Sequence, residues 1–399
     1  MKTTSRWEKA LAIMCHVLIL VLSLAVFGSV IQNESSDLSI HTVYARQGNF
    51  HELDSFFHQT ANPMWHVLVV LLSMTGVELF TAAVIITAIC KLVVFALTHY
   101  FFTCWLRSSV RQWVITLLAV VCSLVSSLCW PWYNPTVYLG AGTPNLWHSA
   151  THMIAMVWMP LCVVQIARIY DKFTQQEPEM GPKTGIRWQD GLWLCFLLLC
   201  SLASKPSFMQ VCLPASCLFF LVKWFQYPKN SRYFLQVLGW VMPAILLMIL
   251  QYMYYFGIIV PVQSEMVLEV SLDKVKTTAI MVLLMQAFPM YVLWVTRKQP
   301  KDTLYWLTLL MDIVGIVEYL LLGENGVRAA DGNFGWGLMS AVLMLWMVTL
   351  PRYVKTRSAE TAVTGSQRAV YGIGWALLAW HFISGVYYIW YLLFTGAAL

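Results

Sequence analysis

LAIMCHVLILVLSLAVFGSVI, residues 11–31, runs for 21 positions without an aspartate, glutamate, lysine or arginine. Wound as an α-helix at about 1.5 Å per residue, such a stretch is about 30 Å long, the thickness of a bilayer's hydrocarbon core. Lys2, Arg6 and Lys9 stand just ahead of it. It is too long for a cleaved signal segment and lacks a small-x-small exit, so it reads as an uncleaved signal anchor. The rest of the chain repeats the pattern. With 59% hydrophobic and 11% charged residues and a mean hydropathy of +0.66, apolar runs broken at short polar intervals leave room for roughly eleven spans of ~20 residues. No polar stretch is long enough for a separate soluble domain. The expected fold is all-α, one polytopic membrane domain over residues 1–399.

The net charge of +6 is explained by its distribution and gives no sign of a nucleic-acid partner. Arg107 and Arg111, then Lys172, Lys183 and Arg187, then Lys223, Lys229 and Arg232 fall on the side of the N terminus, as do Arg297, Lys298, Lys301, Arg352, Lys355, Arg357 and Arg368. The positive-inside rule makes that side, and the N terminus, cytoplasmic. The opposite side receives the loops at about 32–63, 132–148, 204–207, 262–275 and 323–335. Residues 64–106 are too long for one straight span and are interrupted by Glu78. An interfacial or re-entrant helix over 64–77, ahead of a span at about 79–105, keeps the alternation. The ten cysteines lie in or at the ends of apolar runs without metal-type spacing and read as small packing residues. QQEPEMGPKTG, residues 175–185, reads as a solvated connector, and no internal repeat stands out.

The chemically unusual residues collect in the exterior loops. In DLSIH, Asp37 reads as a helix N-cap lying four residues from His41, which puts both side chains on one helix face. Asp37 is a candidate general base with His41 tuning or relaying its proton, and Glu34 is a second acid nearby; a capping aspartate beside a solvated histidine is the plainer alternative. NPMWH brings Trp65 and His66 into the membrane, where an interfacial tryptophan is an ordinary anchor. YLGAGTPNLWH, residues 138–148, joins the turn-forming Gly140, Gly142 and Pro144 to Asn145, Trp147 and His148, an amide, an indole and an imidazole able to bind a sugar. SKPSF places Lys205 in a short exterior turn, against the inside bias, where it could pair with Glu324 or hold a lipid-linked phosphate. GENGVRAADGNFGWG, residues 323–337, offers Arg328 as a bidentate phosphate ligand, Glu324 and Asp331 to orient it, and Asn333 with Trp336 as a second amide and indole pair.

These motifs, DLSIH, NPMWH, GAGTPNLWH, KPSF and GVRAADGNFGWG, resemble an uncharacterised bacterial group of polytopic proteins within the GT-C superfamily of membrane glycosyltransferases. The resemblance implies an inverting enzyme of the bacterial plasma membrane. It would take sugar from a polyprenyl-phosphate donor and pass it to a glycan, lipid or protein acceptor outside the cytoplasm, with Asp37 as base. The chain departs from that group's pattern in carrying Ser149 and Ala150 after His148, where Asn-Pro is expected, and Asn62 where tyrosine is expected. Asp37 also has no second acid beside it. No cofactor is called for by the residues; a divalent metal is left open, with no ligand cluster clear from spacing. Two other classes fit the composition. A transporter or flippase would use Glu78, Lys91, Asp312 and Glu318 as intramembrane charges, and a membrane acyltransferase would use His41, His66 or His148 as base.

Overall fold

The computed structural model describes residues 5–50, 52–57, 60–129, 142–175, 185–256, 258, 264–326, 333–359 and 364–396. The chain winds through α1 (Arg6–Val30), α2 (Asp37–Arg46), α3 (Met64–Ser73), α4 (Leu79–Leu106), α5 (Gln112–Leu124), α6 (Ala150–Thr174), α7 (Trp188–Ser204), α8 (Ser207–Gln226), α9 (Ser231–Tyr255), α10 (Leu272–Val295), α11 (Thr303–Leu321), α12 (Asn333–Ala359) and α13 (Gly365–Thr395). Among the described residues, nine of these helices, α1, α4, α6 and α8 to α13, are long and apolar enough to cross a membrane. The protein is a multi-pass, all-α membrane protein. Its described sheet is one antiparallel pair, β1 (Ser264–Leu268) with β2 (Leu322–Gly326), in a register from Ser264 opposite Gly326 to Leu268 opposite Leu322.

Local chemistry fixes the helix starts. Ser5 and Glu8 form a capping box on α1, and Thr364 and Gln367 form one on α13. Glu78 caps α4 by accepting from the amides of Phe80 and Thr81, so the charge that interrupts the 64–106 run begins a new helix after α3 has ended at Ser73. At α2 the cap differs from the sequence expectation. Ser36, one residue earlier, accepts from Ser39 N at 3.1 Å, which leaves the Asp37 carboxylate outside the cap and turned toward His41.

Contacts between helix ends sort the loops onto two faces. At one face Ser29 at the end of α1 donates to Leu393 O near the end of α13, Asn62 ahead of α3 donates to Ser204 O at the end of α7, and Lys205 reaches Ser149 at the start of α6. At the other, Lys172 at the end of α6 pairs with Asp190 at the start of α7 at 2.7 Å, and Arg352 in α12 donates to Pro300 O. The shorter α5 and α7 each run from the second face toward the first. α12 is the central helix, buried on nearly every side, while α1 and α9 turn most of their surface outward.

Non-helical backbone inside such a bundle must find partners within the protein. Residues 125–129, which continue from α5, do so on α13 and α10. Ser126 N donates to His381 O, Leu128 N to Leu284 O and Cys129 N to the Ser384 hydroxyl, while Ser126 O sits 2.7 Å from His381 Nδ1. Pro289 has no amide hydrogen for the Met285 carbonyl one turn back in α10, and the indole of Trp346 donates to that oxygen instead, at 3.4 Å. The approach of α13 to this segment requires Gly385, because a Cβ there would lie 1.7 Å from Leu124 O. Gly385→Val is therefore expected to cost at least ~3 kcal/mol through forced separation of α13 from the segment. The check is a large drop in the melting temperature of the detergent-solubilised protein.

Candidate functional site

Asp37 and His41, one turn apart on α2, face each other with Asp37 Oδ1 3.4 Å from His41 Nε2. The other nitrogen of the same ring, Nδ1, lies 3.0 Å from Nε2 of His66 on α3. The three groups form a line from carboxylate to imidazole to imidazole, and His66 at its inner end is buried. Trp65 supports the line from the side. Its ring packs against both histidines, while its indole N–H donates to Thr87 in α4 at 3.1 Å. The Asp37 side chain is 30% exposed, but its Oδ2 is buried without a partner.

A second group meets the first from α6, α12, α13 and the α7–α8 turn. The Lys205 ammonium stands 3.7 Å from the centre of the Trp336 ring and donates to Ser149 Oγ at 3.3 Å, a cation on an aromatic face. The rings of His148 and His152 flank the same indole at 5.8 and 5.7 Å. Nδ1 of His148 is 2.8 Å from the hydroxyl of Tyr388. His152 is fully buried, and neither of its ring nitrogens has a hydrogen-bond partner. A neutral imidazole always carries one N–H, so a donor is held there ready for an acceptor.

The electrostatics tie the two groups together. Burial alone would push the Asp37 carboxyl up, but the charge and hydrogen bond of His41, with Lys205 beyond, outweigh it and hold the group well below the usual carboxylate range. Burial, with Lys205 adding to it and Asp37 opposing, pushes His148 down to about 3. At neutral pH the arrangement therefore holds an ionised carboxylate, an ammonium and a neutral imidazole at one end of the bundle. An ionised carboxylate can take a proton, and the lysine can neutralise charge developing on an oxygen.

The loop that carries His148 is shaped from within. Gly142 adopts φ +64°, and a Cβ there would press on Met285 Sδ at 2.6 Å. The Thr143 hydroxyl then accepts from Asn145 N at 3.2 Å. Asn145 and Trp147, expected to bind sugar, turn instead toward the core. The Asn145 amide donates to the carbonyls of Cys122 and Val125 at the end of α5 and accepts from Lys91 at 2.9 Å. Lys91 also donates to Ser123 O and lies 4.2 Å from the centre of the Trp147 ring. The carbonyls at a helix C-terminus need donors and favour a cation, and these residues supply both.

Asp37, His41, His66, His148, Lys205 and Trp336 are thus brought together, with Trp65 packed against the two histidines of the α2–α3 line. Glu34 stands exposed in the turn before α2. Glu324 lies on β2 and acts on Tyr252 of α9. Arg328, Asp331 and the side chain of Asn333 lie outside the described residues, as do Tyr138, Leu139, Gly140 and Ala141. Asn62, where the GT-C-like pattern has tyrosine, receives hydrogen bonds from Thr60 and from the hydroxyl of Tyr255 on α9, so a phenol meets this position from elsewhere in the chain. Ser149, where asparagine is expected, accepts from Lys205. His152 is absent from the sequence-based site, although its spacing of four from His148 was a usable signal. Tyr388, 240 positions from its partner, gave none. Among the described residues no three His, Cys, Asp or Glu side chains gather to hold a metal ion.

Three of the four charges that a transport path would use have local partners, while Glu318 Oε2 is buried without one. Glu78 caps α4, Lys91 closes the end of α5, and Asp312 on α11 accepts from Gln286 of α10 at 2.8 Å. No protein-family model matches the chain, and no curated protein matches it.

Proposed function

We propose that this chain is a membrane glycosyltransferase that takes sugar from a polyprenyl-phosphate donor at the face where Asp37 and Lys205 meet. The observation that carries the reading is the presence, at one end of the bundle, of a carboxylate that is not the helix cap, backed by His41 and His66, and of an ammonium seated on Trp336 whose charge acts on that carboxylate. With the shorter α5 and α7 taken as spans beside the nine long apolar helices, the chain would cross eleven times, with the cation-rich face in the cytoplasm. The site then opens to the exterior leaflet, where a lipid-linked donor can arrive sideways through the membrane.

In the reaction an acceptor hydroxyl attacks the anomeric carbon and its proton passes to Asp37. The bond between that carbon and the phosphate oxygen breaks, and the oxygen keeps the electron pair. The leaving phosphate is already anionic and needs no acid, so one carboxylate suffices. Lys205 stabilises the charge that grows on it, and the buried N–H of His152 faces the same region. His41 holds Asp37 ionised and oriented, and His66 fixes the His41 ring.

The test is transfer from prenyl-phosphate sugars by the purified protein in liposomes, read as release of free prenyl phosphate that depends on an added acceptor. Absence of release across a panel of sugars and acceptors removes the reading. Within that assay His66→Phe is expected to lower kcat by about 10- to 100-fold with little change in donor KM, because His66 positions the base and does not touch the donor. An unchanged kcat would detach His66 from the site.

A further inference from the structure

The base is carried by α2 and α3 and the ammonium by the turn between α7 and α8, and two buried side-chain amides join these parts of the chain. Asn62, four residues before His66, donates from Nδ2 to Ser204 O at 2.8 Å, and Ser204 is the residue that precedes Lys205. Gln251, near the end of α9, donates from Nε2 to Ala61 O at 3.0 Å and to Leu202 O at 2.9 Å. One side chain therefore holds the residue before Asn62 and the last turn of α7 together. Tyr255, one turn further along α9, donates its hydroxyl to Asn62 Oδ1, which also accepts from Thr60 at 2.8 Å. A backbone carbonyl only accepts, so each amide must turn its nitrogen toward these oxygens, and both orientations are fixed. Asn62 and Gln251 are 4% and 2% exposed, which keeps water from competing for the bonds.

The end of α7 needs donors from outside the helix. Its last carbonyls have no helical amide ahead of them, and the amide four residues after Leu202 belongs to Pro206, which has no hydrogen to give. Both donors come from distant parts of the chain, one from the approach to α3 and one from α9. α9 turns most of its surface outward, and beyond Pro243 its buried side chains are Ala244 and Gln251. Gln251 Oε1 has no partner, a cost that an apolar residue would avoid, so the amide is set there by the two carbonyls it joins. We infer that Asn62, Gln251 and Tyr255 are positioning residues that hold the turn carrying Lys205 in register with the line from His66 through His41 to Asp37. The assignment rests on the glycosyltransferase reading. In that reaction the acceptor attacks and the phosphate departs on opposite sides of one carbon, so base and cation must keep their spacing, and a displacement of about 1 Å can cost about 100-fold in rate. Lys205 has its own contacts with Trp336 of α12 and with Ser149 at the start of α6, so a loosened bridge is expected to disturb the register and still hold the phosphate.

The experiment pairs the prenyl-phosphate release assay in liposomes with direct binding of farnesyl phosphate to the full chain in nanodiscs. Gln251→Met keeps the length of the side chain and removes both donors, and it is expected to lower kcat by about 10- to 100-fold with the affinity for farnesyl phosphate unchanged. Tyr255→Phe leaves Asn62 its bond from Thr60 and should lower kcat by a smaller factor. Tyr254→Phe deletes the same group one residue earlier, where the hydroxyl donates to Phe57 O at 2.7 Å, and should transfer normally. Combined with His66→Phe, Gln251→Met should cost less than the product of the two separate losses, because both disturb one alignment. An unchanged kcat in Gln251→Met reduces the amides to helix caps and overturns the positioning role while the glycosyltransferase reading stands. The role is equally overturned by an equal loss in Tyr254→Phe, by full multiplication of the losses in the double variant, or by a loss of farnesyl phosphate affinity that matches the loss in kcat. Should Gln251→Met fail to fold, Tyr255→Phe decides by the same criteria. Absence of release by the wild type across the panel of sugars and acceptors removes the reading and the positioning role with it.

Discussion

Asp37→Asn is expected to lower turnover by roughly 10³-fold, within the range that general-base catalysis supplies, and to leave expression and membrane insertion intact, with a lowered melting temperature at neutral pH from the lost ionic contribution. The folding half of this expectation follows from the cap of α2. Had Asp37 been the N-cap, its loss would unwind the helix start and mix a structural effect into the kinetic one; Ser36 holds that role. Asparagine keeps the side-chain shape and can still accept from His41, so the line to His66 persists while the group can no longer take a proton. Glu34→Gln, at an exposed position, serves as the matched control and should transfer normally. Near-normal turnover by Asp37→Asn would eliminate Asp37 as the base. The same variant also carries a pH signature. The folded carboxyl titrates below its unfolded value of about 3.9, so its ionic contribution to stability is complete above that value and is lost as pH falls through the folded one. The difference in melting temperature between wild type and Asp37→Asn should accordingly shrink as pH is lowered below about 4, and a difference that grows with acidity would contradict the assigned direction.

The parts of this molecule that could be read from sequence are those that follow from local spacing and from solvent. Apolar length and the alternation of cations gave the helices and sorted their ends, and Glu78 marked the break between α3 and α4 because a carboxylate inside an apolar run has few uses other than a cap or a cavity. Asp37 and His41 were joined by a spacing of four, which is geometry within one helix. The failures share a cause. Asn145 and Trp147 are the residue types that bind sugars, but the same types also close a helix end and cover a buried lysine. The decision between these fates depended on Lys91, 54 positions earlier, and on carbonyls at the end of α5. Side-chain chemistry narrows what a residue can do, and only its neighbours across the bundle decide which of these it does.

Lys205→Met should raise the donor KM and lower kcat/KM by about 100-fold or more, because the lysine is asked to hold the phosphate in the ground state and to offset its growing charge in the transition state. The substitution keeps the unbranched stem that packs beside Trp336, so the fold should lose no more than the cation-aromatic contact, about 0.5–2 kcal/mol. Lys205→Arg is not expected to restore activity. The ammonium is a compact charge 3.7 Å from the ring centre and 3.3 Å from Ser149 Oγ, whereas a guanidinium is broad and planar and needs more room than Ser149, His148 and His152 leave around the indole. Asp37 supplies a further discriminating measurement. Lys205 is one of the charges that hold the Asp37 carboxyl low, so its removal should raise that carboxyl's titration, and the two sites should couple. In a double-mutant cycle, Asp37→Asn combined with Lys205→Met should cost less than the sum of the separate losses in kcat/KM, as expected for two groups acting on one substrate. Strictly additive losses, with an unchanged donor KM in Lys205→Met, would place the lysine outside the phosphate site and leave Asp37 without an electrostatic partner for the leaving group.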